Sequence, residues 1–170
     1  YPKKQTPPAV NFPKPNKFAK EATAYVEMHF ADNYGSVDAP HFFVCSFEEA
    51  EQWLDDFIEQ RFQHFGIYED AIVTKETILH HSVLTPMLNT GLLTPQQVLD
   101  KVLNEAAKHN IPLNSLEGFV RQIMGWREFI RIVYEREGTK QRTTNYWQFK
   151  RTIPESFWNG TTGILPIDET

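Results

Sequence analysis

The segment spanning residues 114–134 constrains the fold of this chain more than any other. Its apolar residues recur at steps of three and four, the period of an α-helix with one buried face; they are Leu116, Phe119, Ile123, Phe129, Ile130 and Val133. Polar and aromatic residues lie between them, namely Arg121, Gln122, Trp126, Arg127 and Glu128. The sequence therefore predicts one long, partly buried helix that carries a polar, aromatic-lined site.

Gln122 and Trp126 are the residues of this helix that most suggest ligand binding. They are four positions apart, so their side chains share one face. A planar amide beside an indole can bind a flat heteroaromatic ring by a hydrogen bond and by stacking. The pattern also fits a helix with one buried Trp and a surface ion pair of Arg127 and Glu128. The sequence has no Rossmann glycine fingerprint, P-loop, GxSxG or HExxH motif, which argues against those nucleotide and hydrolase sites.

Capping-box patterns predict three helix starts, at Ser46, Thr94 and Asn114. The first two helices show apolar residues at helical spacing, and the second is expected to run to about His109. The side chains expected to be buried are Ala50, Trp53, Leu54, Phe57, Ile58 and Phe62 after Ser46, and Val98, Val102, Leu103 and Ala106 after Thr94.

Shorter or less regular elements are expected in the remaining segments. The pattern predicts a helix over 18–34, and a helix or a turn and a helix over 78–89, with Pro86 in its first turn and Gly91 at its end. Irregular backbone is expected over 65–77, a tight turn over 157–163, a short helix over 146–150 and a short extended piece over 42–44. Residues 135–144, beyond the predicted long helix, are charged and contain Gly138. No alternation typical of β-strands is present, so the predicted fold class is all-α.

Composition limits the classes of protein that this chain can belong to. Its 170 residues suffice for about one domain, and a formal net charge of -5 argues against a free-standing, non-specific nucleic-acid binder without excluding a local basic patch. The single cysteine, Cys45, cannot form an internal disulfide or alone bind zinc or an iron–sulfur cluster, which fits a reducing, cytoplasmic location. No apolar run is long enough for a membrane span, and no signal peptide is evident. Because the chain begins without Met, we expect a piece of a longer protein.

Two further groups of residues are candidates for binding. The hydroxyl-bearing segment 80–86 lies just before a predicted helix, and hydroxyls with unpaired amides suit a phosphate; the alternative is a Thr N-cap flanked by exposed histidines. A metal at His80 and His81 is not indicated, because no Asp or Cys lies at helical ligand spacing. A second group could stack nucleic-acid bases or close the core; it comprises Tyr146, Trp147, Phe157 and Trp158, near Lys150 and Arg151.

Five strings of the sequence make it resemble the DNA photolyase/cryptochrome family, most closely the bacterial photolyase-related branch of (6-4) type, whose members usually carry an iron–sulfur cluster. The strings are FADNYG, FGIYEDAI, LHHSVLTPMLNTGLLTP, PLNSLEGFVRQIMGWREFIR and FWNGTTG. The resemblance covers about residues 30–168. It implies that 18–170 are the N-terminal part of a helical FAD-binding domain, preceded by an extended Pro- and Lys-rich linker at 1–17.

The resemblance also implies roles for individual residues. The flavin-phosphate motif of the family corresponds to 81–86, although His81 replaces a Thr, and one extra residue, Gly125, lies in the Trp-Arg-Glu helix. Gln122 is expected to be catalytic, facing both flavin and lesion, and Trp126 to pack on the flipped DNA lesion. The residues expected to contact FAD are Tyr68, His81, Ser82, Val83, Leu84, Thr85, Phe119, Gln122 and Arg127.

The activity that the resemblance implies is light-driven repair of UV-damaged DNA. In the implied mechanism, reduced FAD absorbs blue light and passes an electron to the lesion, which is expected to be a (6-4) photoproduct. The implied partners are damaged DNA, the rest of the flavin domain and an N-terminal antenna domain. No metal site is expected, because no cysteine lies near Pro166, where cluster-bearing relatives place their first ligand. We expect this chain alone to bind flavin weakly or not at all. A cryptochrome-like photoreceptor and a flavin-free helical interaction domain are the alternatives.

Overall fold

The computed structural model describes residues 1–2, 4–37, 43–74 and 76–169. Its helices are α1 (Lys17–Phe30), α2 (Phe47–Gln60), α3 (Phe62–Tyr68), α4 (Thr85–Thr90), α5 (Pro95–Lys108), α6 (Leu113–Arg121), a π-helical turn (Gln122–Trp126), α7 (Arg127–Thr143), α8 (Glu155–Trp158) and α9 (Leu165–Asp168). Within those residues the only β pairing is an isolated bridge of Val73 and Glu76. The all-α prediction is therefore confirmed.

Local capping chemistry determines where α2, α4 and α5 begin or end. The Ser46 hydroxyl accepts from the Glu49 amide at 3.2 Å, as predicted, but the Glu49 carboxylate accepts from the amide of Cys45 rather than of Ser46. Thr94 forms the complete predicted capping box. Gly91 ends α4 with a φ of 78°, a left-handed conformation that glycine adopts without strain.

The core lies between α2 and α6. Every side chain predicted to be buried after Ser46 is buried, and so are Val98, Val102 and Ala106 of α5. Leu103 is 54% exposed, so its predicted inward position is wrong. The centre is aromatic: the ring centroids of Phe57 and Phe119 are 4.9 Å apart. This packing positions α6 and the π turn against α2 and α3.

The contact between α3 and α6 corrects two predictions. Residues 65–68 are helical rather than irregular, because Gly66 allows α3 to approach α6: its amide donates to the Ser115 hydroxyl at 2.9 Å. A Cβ on Gly66 would lie 2.6 Å from the Asn114 carbonyl carbon. The capping role predicted for Asn114 is wrong as well, since α6 begins at Leu113 after Pro112 without a side-chain cap.

The long helix continues further than predicted. It runs to Thr143, beyond the predicted end at Tyr134. Charged residues one turn apart stabilise the extension: Arg131 pairs with Glu128 at 2.9 Å and with Glu135 at 2.5 Å. Phe129 and Ile130, expected to be buried, are 56% and 54% exposed. Nothing in the described part of the chain covers that side of α7.

The ends of the chain contribute less regular structure. Helix α1 ends at Phe30 rather than residue 34, and 146–150 form a turn rather than a helix. Residues 157–163 include the end of α8 as well as the predicted turn. Phe43 and Val44 form no strand, and Phe42 lies outside the described residues. Residues 5–16 have no regular secondary structure, yet the Phe12 ring packs on Trp53. None of the helices described is both long and apolar enough to cross a lipid bilayer.

Candidate functional site

A cavity of about 510 Å³ lies between the end of α3, the segment before α4, and the helix formed by α6, the π turn and α7. This volume is typical of small-molecule sites. The lining residues are Phe65, Glu69, Asp70, His81, Ser82, Leu84, Thr85, Leu88, Phe119, Gln122, Ile123, Trp126 and Arg127. The structure thus brings together eight predicted site residues from two distant parts of the sequence.

Two predicted site residues lie elsewhere. Tyr68 packs its ring on Tyr1 and His80, with centroid distances of 4.5 and 5.2 Å, and its hydroxyl donates to Gln5 at 3.4 Å. Val83 adopts a φ of 54° and packs against the core. Neither lines the cavity, so their predicted flavin contacts have no geometric support.

Helix α2 fixes the backbone of the segment before α4. The indole N–H of Trp53 donates to the carbonyl of Ser82 at 2.8 Å, and Nε of the buried Arg61 donates to the carbonyl of His81 at 3.2 Å. The hydroxyls of Ser82 and Thr85 make no side-chain hydrogen bond to any described residue and remain available to a ligand. The His81 ring donates through Nε2 to the backbone carbonyl of Glu69 at 3.0 Å.

Glu69 and Asn89 hold the two polar side chains that the long helix points into the cavity, Gln122 and Arg127. Gln122 Nε2 donates to Glu69 Oε1 at 2.7 Å, and Arg127 Nη2 donates to Asn89 Oδ1 at 3.2 Å. Arg127 makes no ion pair with a described carboxylate, so its charge is available. Sequence reasoning missed Glu69 and Asn89 because they lie 53 and 38 positions from their partners. The only signal was that each lies inside a string that carries the resemblance.

The π turn explains why Gln122, Trp126 and Arg127 all face the cavity. In a regular α-helix, residues five apart differ by about 140° around the axis, so Gln122 and Arg127 would point apart. A π turn takes up roughly one extra residue, which returns Arg127 to the side of Gln122. Gly125, the extra residue that the resemblance suggested, lies inside this turn.

The exposed aromatic residues do not form one group. The Trp126 ring is 58% exposed at the edge of the cavity, 5.8 Å from Phe129. Tyr146 contacts Trp147 at 5.0 Å, whereas Trp158 stacks on Tyr34 of another segment at 5.8 Å. All are exposed, so their interpretation as a closing layer of the core is wrong within this chain. In the ranges that the structure describes, no three His, Cys, Asp or Glu side chains are placed to bind a metal.

Comparison with known proteins finds two relatives. The chain is 35% identical over 148 residues to a (6-4) photolyase of Agrobacterium fabrum; the match covers 87% of this chain and 29% of that protein. It is 45% identical over 103 residues to the uncharacterized protein R853 of Acanthamoeba polyphaga mimivirus, which covers 60% of this chain and 78% of the viral protein. No family model matches. The part of the photolyase that matches this chain is less than a third of the photolyase's length.

Proposed function

Because this chain is a distant homologue of part of a (6-4) photolyase of the DNA photolyase/cryptochrome family, we propose that it forms one side of the flavin and lesion site of a FAD-dependent, blue-light-driven DNA repair protein. The cavity is the observation that carries the proposal. Four residues of the flavin-phosphate segment line it together with the helix around Gln122, which the resemblance assigns to flavin and lesion; they are His81, Ser82, Leu84 and Thr85. The proposed substrate is UV-damaged DNA, with the (6-4) photoproduct as lesion.

The lining fits part of a flavin nucleotide. The free hydroxyls of Ser82 and Thr85 and the unpaired guanidinium of Arg127 suit an anionic or strongly accepting group. Phe119 and Trp126 offer an apolar, aromatic wall to a flat ring. When bound, the reduced flavin would supply the photoexcited electron for repair.

The residues of this chain have separate tasks in the proposed site. The Gln122 amide orients the bound ring by a hydrogen bond. Trp126, exposed at the edge of the cavity, stacks on a base turned out of the duplex. Phe119 and Leu84 are buried and exclude water from the inner end. The remaining half of the flavin domain and an N-terminal antenna domain are the proposed partners within a cytoplasmic protein, and no metal is part of the proposal.

A second candidate function is a helical interaction domain that binds no flavin. Two observations favour it. The carboxylates of Glu69 and Asp70 line the same cavity and would repel a phosphate. The His81 ring is bonded to the Glu69 carbonyl, so it does not replace the Thr hydroxyl of the family motif.

A chimera tests the proposed function. The segment of the Agrobacterium photolyase that aligns with this chain is replaced by this chain, and repair of an oligonucleotide with a (6-4) photoproduct is measured in blue light and in darkness. We expect repair only in light, and a large loss on Gln122→Leu. A folded chimera that binds flavin without repair would favour a photoreceptor, and one without flavin would favour the interaction domain. Circular dichroism checks that each chimera folds.

A further inference from the structure

Glu69 contacts Gln122 across the contact between α3 and α6. It directly follows Tyr68, the last residue of α3, and its Oε1 accepts from Gln122 Nε2 at 2.7 Å. Both side chains are partly buried and both line the cavity. The bond therefore lies at the edge of the proposed ligand site rather than on the outer surface.

The Glu69 carboxylate is fixed by its surroundings. Its second oxygen lies over Gly118 of α6, where a Cβ would be 3.4 Å from Oε2, so the glycine leaves room for the carboxylate. Its backbone carbonyl accepts from the His81 ring at 3.0 Å. Glu69 thus connects the hydroxyl-bearing segment with the helix of Gln122.

A carboxylate partner determines which end of an amide faces it. An ionised carboxylate only accepts hydrogen bonds, so it attracts the NH₂ group of Gln122 and repels its oxygen. A flip of the amide would put Oε1 opposite Glu69. In the observed orientation, Oε1 is the acceptor left for a ligand, since no described residue donates to it.

Gln97 shows the opposite arrangement in the same chain. Its Oε1 accepts from the amide and the hydroxyl of Thr94, each at 2.8 Å, which leaves its NH₂ group to solvent. The orientation of a Gln amide in this protein therefore follows its partner, and Gln97 is a matched reference for Gln122.

We propose that Glu69 is a positioning residue, which fixes the Gln122 amide so that Oε1 accepts from a ring N–H of the bound ligand. The group that fits is the imide N–H, which a flavin ring and thymine share. The ligand half of this inference rests on the proposed function, whereas the Glu69–Gln122 half rests on the geometry alone.

Side-chain amide resonances of the ¹⁵N-labelled chain test the positioning half. Gln122 is assigned from the signals lost in Gln122→Met. At a fixed neutral pH, the Gln122 signals should shift in Glu69→Ala, because that substitution removes the carboxylate that accepts from the NH₂ group. Glu69→Gln, whose neutral amide can meet either end of Gln122, should give two sets of signals or broad ones. Gln97 should not respond in any of these variants.

Four probes at millimolar concentration test the ligand half: FAD, thymidine and their N3-methylated forms. We expect the methylated form of the true ligand to bind roughly threefold to tenfold more weakly, and Glu69→Ala to abolish that difference. Gln122 signals that are unchanged in Glu69→Ala would overturn the positioning role. If they respond but no probe binds, the ligand half falls together with the proposed function while the positioning role stands. Binding without discrimination overturns the ligand half alone.

Discussion

At the scale of single residues, Gln122→Glu would bring two carboxyl groups together where an amide now donates to Glu69 at 2.7 Å. Two such groups cannot both ionise, so the pKa of the pair rises above its unfolded value. Stability is then fully present below the unfolded pKa and is lost as pH rises through the folded pKa. We expect the variant to lose on the order of 1 kcal/mol of unfolding free energy between about pH 4 and pH 7, relative to the native chain. Urea titrations measure this. Gln97→Glu, which keeps its acceptor role, is the control; equal pH profiles for the two variants would contradict the account.

His80 is the second residue with a pH-dependent prediction. It is 4% exposed, and burial lowers the pKa of His80 below its ordinary 6.5. A hydrogen bond with the Arg61 backbone raises this pKa, whereas the charges of His64, Arg61 and His81 lower it, and the net shift is downward. The Tyr1 hydroxyl also faces His80, at 3.2 Å. His80 therefore binds a proton more readily in the unfolded chain than in the folded chain, and the free energy of unfolding falls as pH drops below about 6.5.

Thermal melting measures the effect of that burial. The Tm should decrease between about pH 7.5 and pH 5.5, and His80→Gln should reduce the decrease. His29→Gln, at an exposed position of α1, should leave it unchanged. A Tm that decreases equally in both variants would show that other groups cause the acid sensitivity.

Residue identities at the site could be predicted, but their partners could not. Helical periodicity together with the resemblance identified Phe119, Gln122, Trp126 and Arg127, and these side chains do line one cavity. The prediction of their individual roles stays a prediction. Glu69 gave no signal beyond its place in one of the strings that carry the resemblance, because a contact between residues 53 positions apart depends on how α3 packs on α6.

At the scale of elements, Gly66→Ala tests the contact between α3 and α6. The added Cβ would lie 2.7 Å or less from backbone atoms of Asn114 and Ser115, which cannot move without shifting α6. Overpacking of this kind lowers the unfolding free energy by about 1–3 kcal/mol. In Gly118→Ala, in the facing helix, the added Cβ would lie 3.4 Å from Glu69 Oε2, an ordinary van der Waals distance, and the substitution should have a smaller effect. Chemical denaturation of both variants measures these effects. Equal losses of unfolding free energy in the two variants would contradict the close approach of α3 to α6 at Gly66.

The π turn leads to a second prediction for an element. Deleting Gly125 would leave Trp126 and Arg127 three and four residues from Gln122, which is again one face in a regular α-helix. The photolyase chimera should therefore keep its flavin after this deletion. Inserting one Ala beside Gly125 should abolish flavin binding, because a further residue rotates Arg127 away by about 100°. Loss of flavin on deletion, or its retention on insertion, would refute the role of the π turn.

Helices with strong local signals were predictable, and those fixed by tertiary contacts were not. Thr94 and Ser46 mark their helices through capping chemistry, and Gly91 ends α4 as expected. Helix α3 was missed because Gly66 suggests irregular backbone until its contact with α6 is known. The end of α7 was missed because the apolar period that predicted the helix ends at Val133, although Arg131 and its neighbours pair along the helix.

At the scale of the whole molecule, the core and the exposed apolar surface belong to different segments. The core joins α2 to α6 and the π turn. The exposed apolar side chains next to the cavity are Trp126, at the end of the π turn, and Phe129 and Ile130 on one side of α7. The composition indicated enough apolar residues for the core of one domain. It could not show which of them are buried in that core and which are exposed on the surface. In the proposed protein, the remainder of the flavin domain would cover this side of α7 and complete the cavity.

The central claim is that this chain supplies one side of a flavin site, and an absorption spectrum tests it most directly. The photolyase chimera and the chain alone are purified under gentle conditions, and each is scanned from about 300 to 600 nm, where bound flavin absorbs. We predict flavin bands in the chimera, with their loss in Arg127→Met, and weak or absent bands in the chain alone. A chimera that is folded but carries no flavin would contradict the account.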